Sequence, residues 1–119
     1  MSIPPQKATM ARLTQVLRQV WGFEELRDNQ RELVQAQLEG QDCFGILPTG
    51  AGKSLCFQLP GVALHRSGLG STLVISPLLA LMEDQVNDLR ARGVDALALH
   101  LVSAAKRDAS RPAVIYAAP

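Results

Sequence analysis

Excess charge of either sign is almost absent: 12 lysines and arginines stand against 11 aspartates and glutamates, a formal net charge of +1. A chain so balanced has no global attraction for polyanions, so any contact with nucleic acid has to be built locally. Cysteine is scarce too, with Cys43 and Cys56 alone. Together with His65 and His100 they show no paired C-x-x-C or H-x-x-x-H spacing, so no zinc-site pattern is present, and two isolated thiols suit a reduced intracellular chain. Long apolar runs are missing. The longest uncharged stretch, from Ser67 to Met82, is interrupted by Gly68, Gly70 and Pro77 and is shorter than the ~20 apolar residues that span a bilayer. The start, Met1-Ser2-Ile3-Pro4-Pro5, has no apolar signal core, and the expectation is a soluble, non-secreted protein without a membrane partner. No internal repeat or low-complexity segment occurs.

What is present is an ordinary globular composition. Apolar residues make up 47% and charged residues 19%, which argues against disorder, and 119 residues form one domain or part of one. A complete domain of that size buries roughly two-thirds of its unfolded surface. Residues 7–20 carry Met10, Leu13, Val16, Leu17 and Val20 at three- and four-residue intervals, which predicts an amphipathic helix ended by Trp21-Gly22. Asp28 is the expected cap of a second helix reaching Leu38, with Gly40 as its stop.

From there strands and helices are expected to alternate. A strand at about 42–47 precedes a glycine-rich turn and a helix that Pro60 should interrupt. The strand Thr72-Leu73-Val74-Ile75 follows. Ser76 as cap and Pro77 as first residue then open a helix whose face is traced by Leu78, Leu81, Met82, Gln85, Val86 and Leu89, with Gly93 ending it. Strands at Val94–Leu99 and Ala113–Tyr116 complete the pattern. Short apolar strands alternating with helices of about a dozen residues mean an α/β fold with a parallel sheet covered on both faces.

The most informative stretch is Leu47-Pro48-Thr49-Gly50-Ala51-Gly52-Lys53-Ser54. Gly50 and Gly52 allow a turn with positive φ and bring N–H groups to a β-phosphate with no Cβ in the way. Lys53 is placed to reach the β- and γ-phosphates, Ser54 to ligate the accompanying Mg²⁺, and the following helix points its positive end at the anion. Against G-x-x-x-x-G-K-[ST] one position departs, since Leu47 stands where the first glycine belongs. The tighter form Pro-Thr-Gly-x-Gly-Lys-Ser resembles motif I of superfamily 2 helicases. Glu83-Asp84 after an apolar run imitates a Walker B strand, but the stripe continues through Val86 and Leu89, so both acids are expected on a helix.

Four segments in order resemble the RecQ family of DNA helicases over nearly the whole chain. Trp21-Gly22-Phe23-Glu24-Glu25-Leu26-Arg27-Asp28-Asn29-Gln30 is similar to motif 0, with Leu26 in place of the usual Phe and Asp28-Asn29 in place of Pro-Gly. In the family this element recognises adenine. The planar amide of Gln30 offers donor and acceptor to the N6 and N7 edge, and Phe23 and Arg27 suit packing on the base. Motif I extends through Ser54-Leu55-Cys56-Phe57-Gln58-Leu59-Pro60. Val74 to Val86, with Ser76-Pro77 at its turn, resembles motif Ia, where a hydroxyl and N–H groups can hold one phosphate of a single strand. Val114-Ile115-Tyr116-Ala117-Ala118-Pro119 resembles the start of motif Ib, which in the family contacts the DNA strand. Lys106, Arg107 and Arg111, in the connection before it, are read first as solvated loop charges and second as phosphate contacts.

The resemblance implies an incomplete RecA-like P-loop NTPase fold, with N-terminal helices and motif 0 over residues 1–40 and the partial ATP-binding domain over residues 41–119. It implies ATP and Mg²⁺ as cofactors. Phe23, Arg27, Gln30, Thr49, Gly50, Ala51, Gly52, Lys53 and Ser54 would hold the nucleotide, with Lys53 catalytic and Ser54 on the metal. Ser76, Pro77 and Tyr116 would touch DNA, single-stranded or at a duplex junction. The activity implied is ATP-dependent 3′-to-5′ unwinding in repair and recombination, in a bacterial cytoplasm or a eukaryotic nucleus. The family's Asp-Glu-x-His box and second motor domain are expected beyond Pro119, leaving this piece inactive alone. Two other readings of the cradle stay open: a nucleoside or small-molecule kinase, and a non-catalytic nucleotide-binding module.

Overall fold

The computed structural model describes residues 9–48, 52–101 and 111–119. Thr9 is extended, and its hydroxyl accepts a hydrogen bond from Arg12 N at 3.2 Å, which satisfies one of the orphan donors of helix α1, Met10–Val16. The helical stripe continues into a π turn, Leu17–Trp21, closed by Gly22 at φ 74°. A π turn widens the helix locally and redirects the side chain at its end. Leu13, Val16, Leu17 and Val20 face inward, as their spacing predicts.

Helix α2 spans Asp28–Leu38, and its cap differs from expectation. Arg27 is the N-cap residue and Asp28 the first helical one, because the side chain of Gln30 supplies the cap: its Oε1 accepts from Arg27 N at 3.0 Å. Asp28 instead places a negative charge beside the positive helix start. At the other end Gly40 N bonds Gln37 O and Gln41 N bonds Ala36 O, the paired pattern of a Schellman stop. Helices α3, Leu55–Arg66, and α4, Leu79–Ala91, end in the same way at Gly68 and Gly93.

Helix α3 does not stop at Pro60 as predicted but runs through it. A proline removes one donor and leaves the carbonyl four residues earlier without its helical partner. That carbonyl is Cys56 O, and Gln37 Nε2 donates to it from α2 at 2.7 Å. The proline is tolerated because a neighbouring helix provides the missing hydrogen. Gln37→Leu is accordingly expected to destabilise the fold by about 1–2 kcal/mol, through an unsatisfied half-buried carbonyl, with the helical signal retained. Urea unfolding of the two proteins measures this; a midpoint shift near zero would show that the Gln37 bond is irrelevant to Pro60.

Strands β1 (Thr72–Ile75), β2 (Ala96–Ala98) and β3 (Val114–Ala117) form a parallel sheet in the order β1-β3-β2. Thr72, Ala96 and Val114 align, as do Val74, Ala98 and Tyr116, so these six residues share one face. α3 and α4 cover that face: Gly61 of α3 seats against Thr72, and Met82, Val86 and Leu89 of α4 are buried. Helices α1 and α2 pack on α3, so one continuous core runs from Leu13 to Tyr116. The parallel α/β architecture agrees with the reading of the sequence. The expected second helical layer is not found among the described residues, where Leu73 and Ile75 of the opposite face are exposed.

The strand expected at 42–47 does not form in the described sheet. Phe44 and Ile46 are exposed, and Gly45 lies so near Leu33 that an added Cβ would come within 2.6 Å of it. An apolar run becomes a strand only where an edge lies about 4.8 Å away, and this run lies along α2 instead. Helix α4 starts at Leu79, not Pro77; Ser76 Oγ accepts from Leu78 N at 3.2 Å and turns the chain before the helix rather than capping it. Glu83 and Asp84 lie on α4 as the periodicity demands, with Glu83 3.1 Å from His100. No helix among the described residues is long and apolar enough to cross a membrane.

Candidate functional site

Gly52, Lys53 and Ser54 lead directly into α3, with Cys56 N bonding Lys53 O at 3.1 Å and Gln58 N bonding Ser54 O at 2.9 Å. The twelve residues of α3 therefore aim the positive end of their aligned peptide dipoles at this turn. Gly52 has the positive φ expected of it, 72°. Lys53 is exposed, and among the described residues its side chain makes no hydrogen bond or ion pair. Thr49, Gly50 and Ala51 lie outside the described residues.

The turn after the π segment comes back onto this glycine. Gln30 is 5% exposed, and its Nε2 donates to Gly52 O at 3.2 Å while its Oε1 holds Arg27 N. One amide thus joins the start of α2 to the mouth of α3, 22 residues away in sequence. Beside it opens a cleft of about 330 Å³ whose lining includes Phe23, Arg27, Gln30, Gly52 and Ser54, all candidates on sequence grounds, together with Trp21. That volume lies within the range of small-ligand sites. Phe23 is half exposed, and the charged residues of the lining are Arg27, Glu25 and Asp88. Trp21, the first residue of the motif 0 segment and the expected helix end, is not among the residues expected to hold the nucleotide, yet it lines the cleft; the π turn that carries it has no sequence signature.

Cys56 lies behind the turn, with Sγ donating weakly to Gly52 O at 3.8 Å, and burial pushes its thiol above the usual range. A thiol held neutral in this way packs the turn and is no nucleophile.

The three residues expected on DNA divide. Ser76 and Pro77 follow the carboxyl end of β1, Ser76 half-buried and Pro77 exposed, at the edge where parallel sheets hold their ligands. Tyr116 does not join them. It is 1% exposed on the covered face of β3, and its phenol oxygen accepts from buried Gln58 Nε2 at 2.9 Å. Burial pushes its phenol up, against the Gln58 bond, and the Asp88 charge adds to the rise. The tyrosine is a core residue here, so its ring presents no surface to a DNA strand, contrary to the expectation from the sequence. Lys106 and Arg107 lie outside the described residues, while Arg111 O accepts from His65 Nε2 at 2.6 Å.

Ser54 has a partner that sequence reasoning passed over. Gln85 Nε2 of α4 donates to Ser54 Oγ at 2.9 Å. The available signal was its position, since Gln85 is the one polar residue in the stripe from Leu78 to Leu89. Among the described residues no group of three or more His, Cys, Asp or Glu could hold a metal ion by itself.

Residues 27–117 match the DEAD/DEAH box helicase family. The chain is 49% identical over 88 residues to the ATP-dependent DNA helicase RecQ of Synechocystis sp., covering 74% of this chain and 18% of that protein. It is 49% identical over 84 residues to the probable ATP-dependent DNA helicase RecS of Bacillus subtilis, covering 71% and 16%. Similarity reaches the ATP-dependent helicase SGS1 of Saccharomyces cerevisiae, at 48% over 80 residues, 67% of this chain and 6% of that protein. The chain therefore spans less than a fifth of the length of each of these relatives.

Proposed function

Because the chain belongs to the DEAD/DEAH box helicase family, we propose that it supplies the ATP-binding part of a RecQ-type DNA helicase, coupling ATP hydrolysis to 3′-to-5′ unwinding in repair and recombination. The observation that carries this reading is the cleft in which Phe23, Arg27 and Gln30 of one segment meet Gly52 and Ser54 of another. A phosphate cradle alone serves many enzymes. A cradle with an aromatic ring, a guanidinium and a planar amide set beside it suits a nucleotide read at its base.

In this reading Phe23 and Arg27 pack the adenine and Gln30 reads its edge, while Gly50, Ala51 and Gly52 with Thr49 wrap the phosphates. Lys53 offsets the charge that develops on the transferred phosphoryl group. Mg²⁺ supplies charge neutralisation between the phosphates. The residues present fit such an ion: among the described residues no acidic or His/Cys cluster could hold it alone, and Ser54 Oγ at the mouth of α3 would be its protein ligand when it is bound with the nucleotide. Ser76 and Pro77 meet a strand phosphate, which orients DNA without reading its sequence. Such an activity places the protein with DNA, in the bacterial cytoplasm and nucleoid or in a eukaryotic nucleus.

Competitive binding of ATP and GTP tests base reading. ATP is expected to bind at least about tenfold more tightly, a difference of about 1.4 kcal/mol, and Gln30→Ala to bring the two within about threefold. Equal affinity of the unaltered chain for both nucleotides would remove the adenine assignment and favour a cradle of the kinase type.

A further inference from the structure

Helix α4 buries Met82, Val86 and Leu89, and between the first two, on the same face, stands Gln85. Its side chain does not cap α4 or return to its own backbone. It crosses to the turn before α3 and donates to Ser54 Oγ at 2.9 Å, a contact between residues 31 apart in sequence. Both residues are half-buried, where a hydrogen bond is screened less than at the surface and an unmet polar group costs more. A serine hydroxyl has one donor and two acceptor lone pairs. With Gln85 engaging it from the α4 side, the hydroxyl is held in one rotamer instead of turning freely, and its remaining capacity is directed away from α4.

Resting on the nucleotide-site reading above, we infer that Gln85 is a positioning residue for the metal that accompanies the nucleotide. Its amide fixes Ser54 Oγ so that an oxygen lone pair is presented to Mg²⁺. The physical basis is general: partners of a metal ligand set that ligand's orientation and basicity, and their loss typically lowers metal affinity by about 10–100-fold. An amide suits the place because it can engage the hydroxyl through either end, donating to oxygen or accepting its proton, whichever the bound state demands. Leucine has similar volume and neither capacity. Glutamate can accept the Ser54 proton, which leaves the serine oxygen free for the metal.

The test is equilibrium binding of a fluorescent ATP analogue, in excess Mg²⁺ and in EDTA, by the unaltered chain and by Gln85→Leu, Gln85→Glu, Ser54→Ala and the Ser54→Ala/Gln85→Leu double variant. The ratio of the two affinities is the gain conferred by Mg²⁺. Gln85→Leu is expected to lower that gain by at least about tenfold while leaving affinity in EDTA within about twofold, which a merely unfolded variant would not do. Gln85→Glu is expected to restore most of the gain. The double variant is expected to lose no more than Ser54→Ala alone, since Gln85 acts through the serine. A Gln85→Leu protein that keeps the full gain where Ser54→Ala loses it overturns the role of Gln85 and leaves the nucleotide site standing. No binding of the analogue by the unaltered chain, or a Ser54→Ala protein with an unchanged gain, overturns both.

Discussion

Lys53→Ala is expected to remove most ATP affinity and leave the fold intact. The ammonium lies on an exposed side chain just before α3 and, among the described residues, supports no other group. Its truncation therefore leaves no cavity and no unsatisfied partner, and the unfolding midpoint should be unchanged within error. Binding is another matter. A charge-assisted contact to a phosphate contributes about 1.5–3 kcal/mol, so affinity should fall by about 10–100-fold. Any turnover of ATP by a protein carrying this segment should fall to background, because the same charge is needed more as the phosphoryl group departs. Calorimetric titration with ATP and a thermal scan on the same samples separate the two effects. An unchanged affinity would remove Lys53 from the site, and a lowered midpoint would reveal a structural role that the geometry does not show.

Legibility in the sequence followed the range of the interaction concerned. The stops of α2, α3 and α4 depend on a glycine and on bonds within six residues, so a local reading found Gly40 and Gly93 directly. The parallel sheet was legible because β1 and β3 are short, apolar and separated by helical patterns. Which face of β3 is covered was not, since Ala113, Val114, Ile115 and Tyr116 are all apolar or aromatic and show no alternation to mark an inside. The DNA contact expected of Tyr116 rests on the resemblance to motif Ib, and no alternation in the strand speaks against it, whereas the ring lies in the core. Pro60 misled for a different reason: the rule that proline ends a helix assumes an unmet carbonyl, and Gln37 meets it from 19 residues away. The Gln85 contact with Ser54 and the failure of 42–47 to join the sheet are also settled by neighbours distant in sequence. At the candidate site the phosphate cradle and motif 0 were each recognisable, but their meeting through Gln30 and Gly52 was not.

That meeting makes Gly52→Ala a disruptive change at the site. Gly52 stands at φ 72°, where an L side chain costs about 1–2 kcal/mol, and an added Cβ would fall inside the van der Waals contact of Gln30 Nε2. Gln30 cannot retreat without loss, because its amide also holds Arg27 N and so caps α2. Breaking the bond to Gly52 O and loosening that cap adds about 1–3 kcal/mol. A combined loss of about 2–5 kcal/mol is expected by urea unfolding, with ATP affinity reduced by more than about tenfold since cradle and base-reading segment move apart. The cause is separable from strain alone. In Gln30→Ala/Gly52→Ala the clash is gone while the positive φ remains, so the double variant should be at least about 1 kcal/mol more stable than the sum of the single effects predicts. Strict additivity would mean that the methyl group and the amide never meet, and that Gln30 and the phosphate cradle are independent parts.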